Sequence, residues 1–277
     1  MPGFASRDDL INEITTNGKI TPWNFYKIGA TAEAAGVWQS LWHSVGNPGA
    51  GTNPATTPGT VYDSDTTTIV AGSMPFPDVS TDQRYLLSFG AVASTNCTLM
   101  LYDRLAGVSG VATNSTGTKT INTGALTRYS GTDAVANEAW LEFTTAGTAA
   151  TGVFNLNSYT SADGSNALTG GSVSTPTTSM AQYSMLQLPL AAGEMGVRSV
   201  EAGLNVGTAH TTSVANLMII RPLARIVLLA NQWNEVFLLD DSGGLPRIYD
   251  NANLGLMYLA TATTATTFWG TLTTAYG

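Results

Sequence analysis

The sequence predicts an all-β fold of antiparallel strands, a jelly-roll-like sandwich preceded by a short N-terminal helix and an extended Gly/Pro-rich arm. Three observations carry that expectation. From residue 83 onward, short runs of β-branched, aromatic and aliphatic residues alternate with turn clusters at close intervals. Apart from one ambiguous run at residues 37–42, helical periodicity is confined to the first residues, and strands do not alternate with helical segments as an α/β fold requires. Charged residues make up 11% of the 277-residue chain, against about 25% in ordinary soluble domains. A surface so poor in charge and so rich in Thr, Ser, Ala and Gly suits a protein packed against neighbours or built for long-term rigidity, with an extracellular Ser/Thr-rich β protein as the alternative.

The segment "SRDDLINEITTNG" reads as a helix over residues 6–16, with Ser6 as N-cap and Asp8 and Asp9 in the electropositive first turn. Leu10, Ile11 and Ile14 share a face, and Asn17–Gly18 supplies a left-handed stop. So short a helix is unstable alone and must dock on its own sandwich or on another subunit. Trp23, Phe25, Tyr26, Trp38 and Trp42 follow. Val37, Trp38, Leu41 and Trp42 fit helical spacing, and Trp38, Ser40 and Trp42 fit strand alternation; the punctuation on both sides favours a strand. Residues 46–60 hold four glycines and three prolines and read as an extended arm or long ordered loop. The chain therefore divides into residues 1–60, helix and arm for docking, and residues 61–277, the sandwich.

Strands are expected in "RYLLSFGAVA", "CTLMLYDRLAG", "EAWLEFTTA", "GVFNLNSYT", "SMLQLPLA", "VRSVEAGLNV", "NLMIIRPLARIVLLA" and "NEVFLLDD". Pro222 lacks a backbone donor and must break its run or lie at an edge, which predicts two strands near 216–221 and 224–230. In "EAWLEFTTA", Trp140, Glu142 and Thr144 alternate with Leu141, Phe143 and Thr145. The closing stretch reads as a hairpin of strands near 254–261 and 268–276, with Phe268, Leu272 and Tyr276 on one face and Trp269 on the other. Deleting the last ten residues should then destabilise the fold, whereas deleting the first sixty should mainly damage assembly.

The chemistry-bearing residues are sparse. His43 and His210 have no second ligand at metal spacing, so no metal or other cofactor is expected. "DSDTTT" at 63–68 and "DDSGG" at 240–244 lack the ligand ladder of a calcium loop and read as polar turns. Glu138, Glu142, Glu194, Glu201 and Glu235 are glycosidase-type acids by residue type alone, and most lie on alternating strand faces or in turns, which favours exposure to solvent. No nucleophile elbow, phosphate-binding loop or dinucleotide fingerprint occurs, so no catalytic residue is assigned and an enzyme is not expected. A net charge of −8 with three lysines and eight scattered arginines argues against nucleic acid as partner. No signal peptide and no membrane span are expected. The single cysteine, Cys97, should pack as a small apolar residue. The six tryptophans fit either sugar stacking or core and docking roles.

The segments "GVWQSLWHSVGNPGAG", "LMLYDRLAGVSGV", "TINTGALTRYSG", "NEAWLEF", "LPLAAGEMGVRSVE" and "LPRIYDNANLGLMYLATATT", in this order over residues 37–265, together resemble a family of β-rich virion structural proteins of tailed bacteriophages and prophages. The resemblance implies a non-enzymatic virion component, foremost a capsid decoration or cement protein. It would be made in the host cytoplasm and sit on the capsid surface, with the major capsid protein and copies of itself, as in a trimer, for partners. A tail, fibre or host-binding spike component and a carbohydrate-binding module are the alternatives. In that role Trp23, Phe25, Tyr26, Trp38 and Trp42, the densest aromatic group, are the expected partner-binding residues. An extended arm spanning about 3.3 Å per residue could bridge neighbouring capsomers.

Overall fold

The computed structural model describes residues 3–30, 34–56, 59–64, 69–238 and 244–277. In chain order the elements are α1 (Arg7–Thr15), β1 (Ile20–Ile28), β2 (Trp38–Ser40), β3 (Gly46–Asn47), β4 (Thr60–Val61), β5 (Arg84–Ala93), β6 (Cys97–Ala112), β7 (Gly117–Lys119) and β8 (Glu138–Thr145). They continue as β9 (Val153–Ser161), β10 (Val173–Ser174), β11 (Ser184–Leu188), β12 (Val197–Thr208), β13 (Val214–Leu228), β14 (Asn234–Phe237), β15 (Arg247–Ile248), β16 (Leu254–Ala260) and β17 (Thr267–Tyr276). The fold is all-β with antiparallel sheets and one short α-helix, as the sequence predicts.

The largest sheet closes on itself. Its order β13–β8–β11–β2–β16–β6 is completed by a long β13–β6 ladder, giving a six-stranded ring with β4 added to the rim of β6. Closure removes the free edges that open sheets must otherwise protect. Two more sheets flank the ring: β14–β5–β17–β1–β3, with β15 also on β5, and β10–β9–β12–β7. The first packs against the ring where Phe268 meets Tyr258 (4.9 Å between rings), the second where Phe154 meets Phe143 (6.1 Å). The jelly-roll-like sandwich is thus resolved as a closed ring with a sheet on each of two sides.

Residues 1–60 are not a separate appendage. β1 lies between β17 and β3, and β2 lies inside the ring's order between β11 and β16. β1 pairs along its whole length with β17 and at Tyr26 and Lys27 with β3, and β2 pairs on both sides, so removing the first sixty residues strips strands from both sheets. The Gly/Pro-rich tract, in its described residues 46–56, folds back over one end of the ring instead of projecting. Gly51 N–H donates to Trp42 O (2.8 Å), the Trp42 indole to Thr52 O (3.1 Å), Asn216 Nδ2 to Asn53 Oδ1 (3.1 Å) and Ser109 N–H to Ala55 O (2.9 Å).

Helix α1 starts as expected: the Ser6 hydroxyl accepts from Asp9 N–H (3.1 Å), and Gly18 adopts φ +66° beyond the C-terminus. Only Leu10 of the predicted face is buried, while Ile11 is 54% exposed. The helix docks on β17 of its own chain, and Phe4, just before it, meets Tyr85 of the adjoining β5 at 5.5 Å.

Two strand expectations are corrected. β13 runs unbroken through Pro222, because β8 ends its pairing at Ile220 and a register shift follows Pro222 on the β6 side, so no central ladder bond is lost. The closing stretch is not a hairpin: β16 belongs to the ring and β17 to the flanking sheet, so the connection changes layers. The layer change buries both neighbours of Trp269, Phe268 and Gly270, and leaves Trp269 outside. Cys97 is buried. The "DSDTTT" and "DDSGG" turns lie largely outside the described residues.

Candidate interaction surfaces and the buried charge cluster

Alternate residues of the ring strands face two interiors. One set, including Leu99, Leu101, Leu141, Phe143, Leu217 and Ile219, forms the main core beneath the flanking sheets. The other set, Met100, Tyr102, Trp140, Met185, Met218 and Met257, joins Trp42 and Tyr62 in a second cluster. That second set fills the lumen: Arg225 of β13 stands 5.9 Å over the Trp38 ring of β2, three strands away and so across the ring.

The lumen holds a buried ion pair. Glu142, expected in solvent, is completely buried, and this corrects the alternation argument: the polar face of β8 points into the ring. Arg104 Nη2 donates to Glu142 Oε2 (2.9 Å), Asn216 Nδ2 to the same oxygen (2.9 Å) and Ser40 Oγ to Oε1 (2.6 Å). His43 Nε2 lies 3.3 Å from Oε2, its ring stacked on Tyr183 at 4.7 Å. Burial opposes ionisation, but Arg104 and His43 outweigh it and hold the Glu142 carboxyl well below the usual carboxylate range. The guanidinium of Arg104 also lies over the rings of Trp42 (4.6 Å) and Tyr62 (5.2 Å). Burial beside this cluster pushes the Tyr102 phenol up to about 12.

Asp103, the next residue along β6, points to the other interior. It takes a bidentate pair from Arg128 (Nε and Nη2, both 2.6 Å) and accepts from Asn253 N–H (2.9 Å). Both ion pairs tie residues distant in sequence. Their chemistry is that of braces, since each carboxylate is enclosed and engaged by several donors.

The five aromatics singled out in the sequence do not form one patch. Phe25 is core, stacked on Phe89 at 6.0 Å, and Trp42 is buried in the lumen. Trp23 lines an apolar hollow of about 510 Å³ with Phe76, Pro75, Pro77 and Ile69. Tyr26, on the opposite face of β1 from Phe25, meets Trp269 at 5.4 Å on the outside. Trp38 stands at the mouth of the ring. There β2 and β11 pair only through Gln39↔Ser184 and Trp38↔Met185 and then diverge. The gap is a cleft of about 560 Å³ between Gly36–Trp38 and Leu186–Pro189, with Trp140 edge-on to Trp38 (6.0 Å, 84°). Sequence reasoning missed Trp140 and Arg225 as members of this mouth, because the strands that supply them meet only through ring closure.

His210 is pressed against Phe143 and Phe154, and burial pulls its imidazole below the usual value. Among the described residues no three His, Cys, Asp or Glu side chains gather as a metal site, and no helix is long and apolar enough to cross a membrane.

No known family model and no curated protein matches the chain. Among solved structures, the VP2 subviral particle of infectious bursal disease virus aligns over 96% of this chain and 85% of that one, at 8% identity and TM-score 0.17. The Gt strain of the same virus aligns over 93% and 79%, at 8% identity and TM-score 0.18. Overlap at this level assigns neither fold nor function.

Proposed function

We propose that this chain is a non-enzymatic structural protein of a tailed-phage virion, held on the head shell as a decoration or cement subunit. The ordered sequence segments that resemble virion proteins motivate the reading. The observation that carries it is how the charge is spent: within a chain of 11% charged residues, Arg104, Glu142, Asp103 and Arg128 are enclosed as internal braces. This leaves a rigid body with a surface of hydroxyls and small residues, suited to long service against neighbouring subunits. The partners in this reading are the major capsid protein and further copies of the chain, and the Trp38–Trp140 cleft is the contact we assign to them. An aromatic anchor in a recessed, apolar seat is what interface energetics favour.

The test is electron microscopy of virions labelled with an antibody to this chain. Labelling over the head is the expected result. Labelling confined to the tail moves the protein to a fibre or spike, and absence of label from intact particles removes the virion reading.

A further inference from the structure

The outer face of the sheet β14–β5–β17–β1–β3 is laid out by its register. One row across the strands is Glu235, Gly90, Thr271 and Asn24, and the next is Val92, Trp269, Tyr26 and Asn47. A third row is Phe237, Ser88, Thr273 and Pro22. Trp233, one residue before β14, rests on the first row: a Cβ at Gly90 would stand 2.7 Å from its indole. Trp233 is 53% exposed, Trp269 48% and Phe237 63%. Large rings left bare together on one flat face mark a surface built for contact.

The chemistry between the rings narrows the occupant. Thr271 Oγ1 donates to Asn24 Oδ1 (2.7 Å) and Asn47 Nδ2 to Asn24 O (3.1 Å), so hydroxyl and amide groups are fixed beside the aromatics. No lysine or arginine stands in these three rows. Lys27 of β1 points to the opposite face and is buried, as is Arg84 at the start of β5. Glu235 is the one charged side chain in the rows, which disfavours phosphate, sulfate or sialic acid as ligand. A ligand with alternating apolar and hydroxyl surfaces and no negative charge satisfies both the rings and the Thr, Asn and Glu groups. A second copy of this chain fits less well, because a two-fold contact centred on the Glu235 row sets carboxylate against carboxylate.

We propose that this face binds a neutral polysaccharide, whose sugar rings stack on Trp269, Tyr26 and Trp233 while their hydroxyls meet Asn24, Thr271 and Glu235. β14 and β17 lie two strand spacings apart, roughly 10 Å, so the platform spans more than one sugar unit. The proposal is independent of the virion reading and of the Trp38 cleft.

The experiment is titration of the full chain with a panel of neutral hexasaccharides (glucan, galactan, mannan, chitin), read by tryptophan fluorescence and calorimetry. Sedimentation of the free protein is run alongside. Saturable binding of at least one neutral oligosaccharide is expected, weakened by roughly tenfold or more in Trp269→Ala and in Trp233→Ala. Both side chains are half exposed, so the variants should unfold like wild type, and Trp38→Ala should bind normally. Absence of binding to every neutral oligosaccharide overturns the proposal. Self-association that Trp269→Ala abolishes also overturns it and identifies a second copy as the occupant.

Discussion

The two interiors served by β8 differ in kind although they are one residue apart. Toward the flanking sheets β8 sends Ala139, Leu141 and Phe143, all fully buried among aliphatic and aromatic neighbours. Toward the lumen it sends Trp140 and Glu142, equally buried, into a space lined by four methionines and crossed by an ion pair. Around β8 the outer interior is held by area and shape, which tolerate no loss of volume; its own ion pair, Asp103 with Arg128, does not involve β8. The lumen is filled by large rings and by Met side chains flexible enough to close the gaps between them, and a charged pair ties β6 to β8 within it.

The largest test of this contrast is Glu142→Leu, which strands the Arg104 guanidinium in the lumen. We expect a loss of about 3–5 kcal/mol in urea unfolding, largely recovered in the double variant Arg104→Met with Glu142→Leu. On the other face, Leu141→Ala should cost about 2–5 kcal/mol through transfer and cavity terms, with no partner substitution able to restore it. If the double variant is as unstable as the single, the lumen is held by packing like the outer core and the contrast fails.

Acid sharpens the same point. With its carboxyl held well below the usual range, Glu142 contributes stability that is fully present above the unfolded value of about 4.3 and lost as pH falls through the folded value. The stability gap between wild type and Glu142→Gln should narrow steadily below about pH 4, measured by thermal melts across pH. Lys27 tests the rim in the opposite direction. Burial lowers its ammonium to about 8, with Ser44 O and Gly49 O as its acceptors. Between pH 8 and 10.5 the unfolded chain holds a proton the folded chain has released, so stability should rise with pH there and Lys27→Met should flatten that rise. The smallest effect is expected for Met218→Leu in the lumen, below about 1.5 kcal/mol by the same urea assay.

Local features were legible in the sequence and closure was not. "RYLLSFGAVA" is β5 residue for residue, and Ser6, Asp8 and Asp9 mark the start of α1. Alternation in "EAWLEF" located a strand, but a period of two cannot tell water from the inside of a ring. Glu142 therefore looked exposed. The aromatic group failed for a related reason: Phe25 and Tyr26 are adjacent in sequence and so point to opposite faces. Chain proximity gathered Trp23 through Trp42 into one patch, whereas the strand register distributes them over a core, a lumen and three surfaces.

The pairing of β1 with β17 sets a schedule for synthesis. Ile20 is matched with Ala275 and Trp38 with Leu259, so the earliest strands wait for partners made last. At about 5–20 residues per second, that wait is roughly ten to fifty seconds on the ribosome. During it β1 and β2 have open hydrogen-bonding edges and bare aromatics, the combination that invites chaperones or misassembly. Neither the ring nor the flanking sheet can be completed until the C-terminal strands have emerged, so a chain stalled before residue 260 is an open sheet for quality control to find.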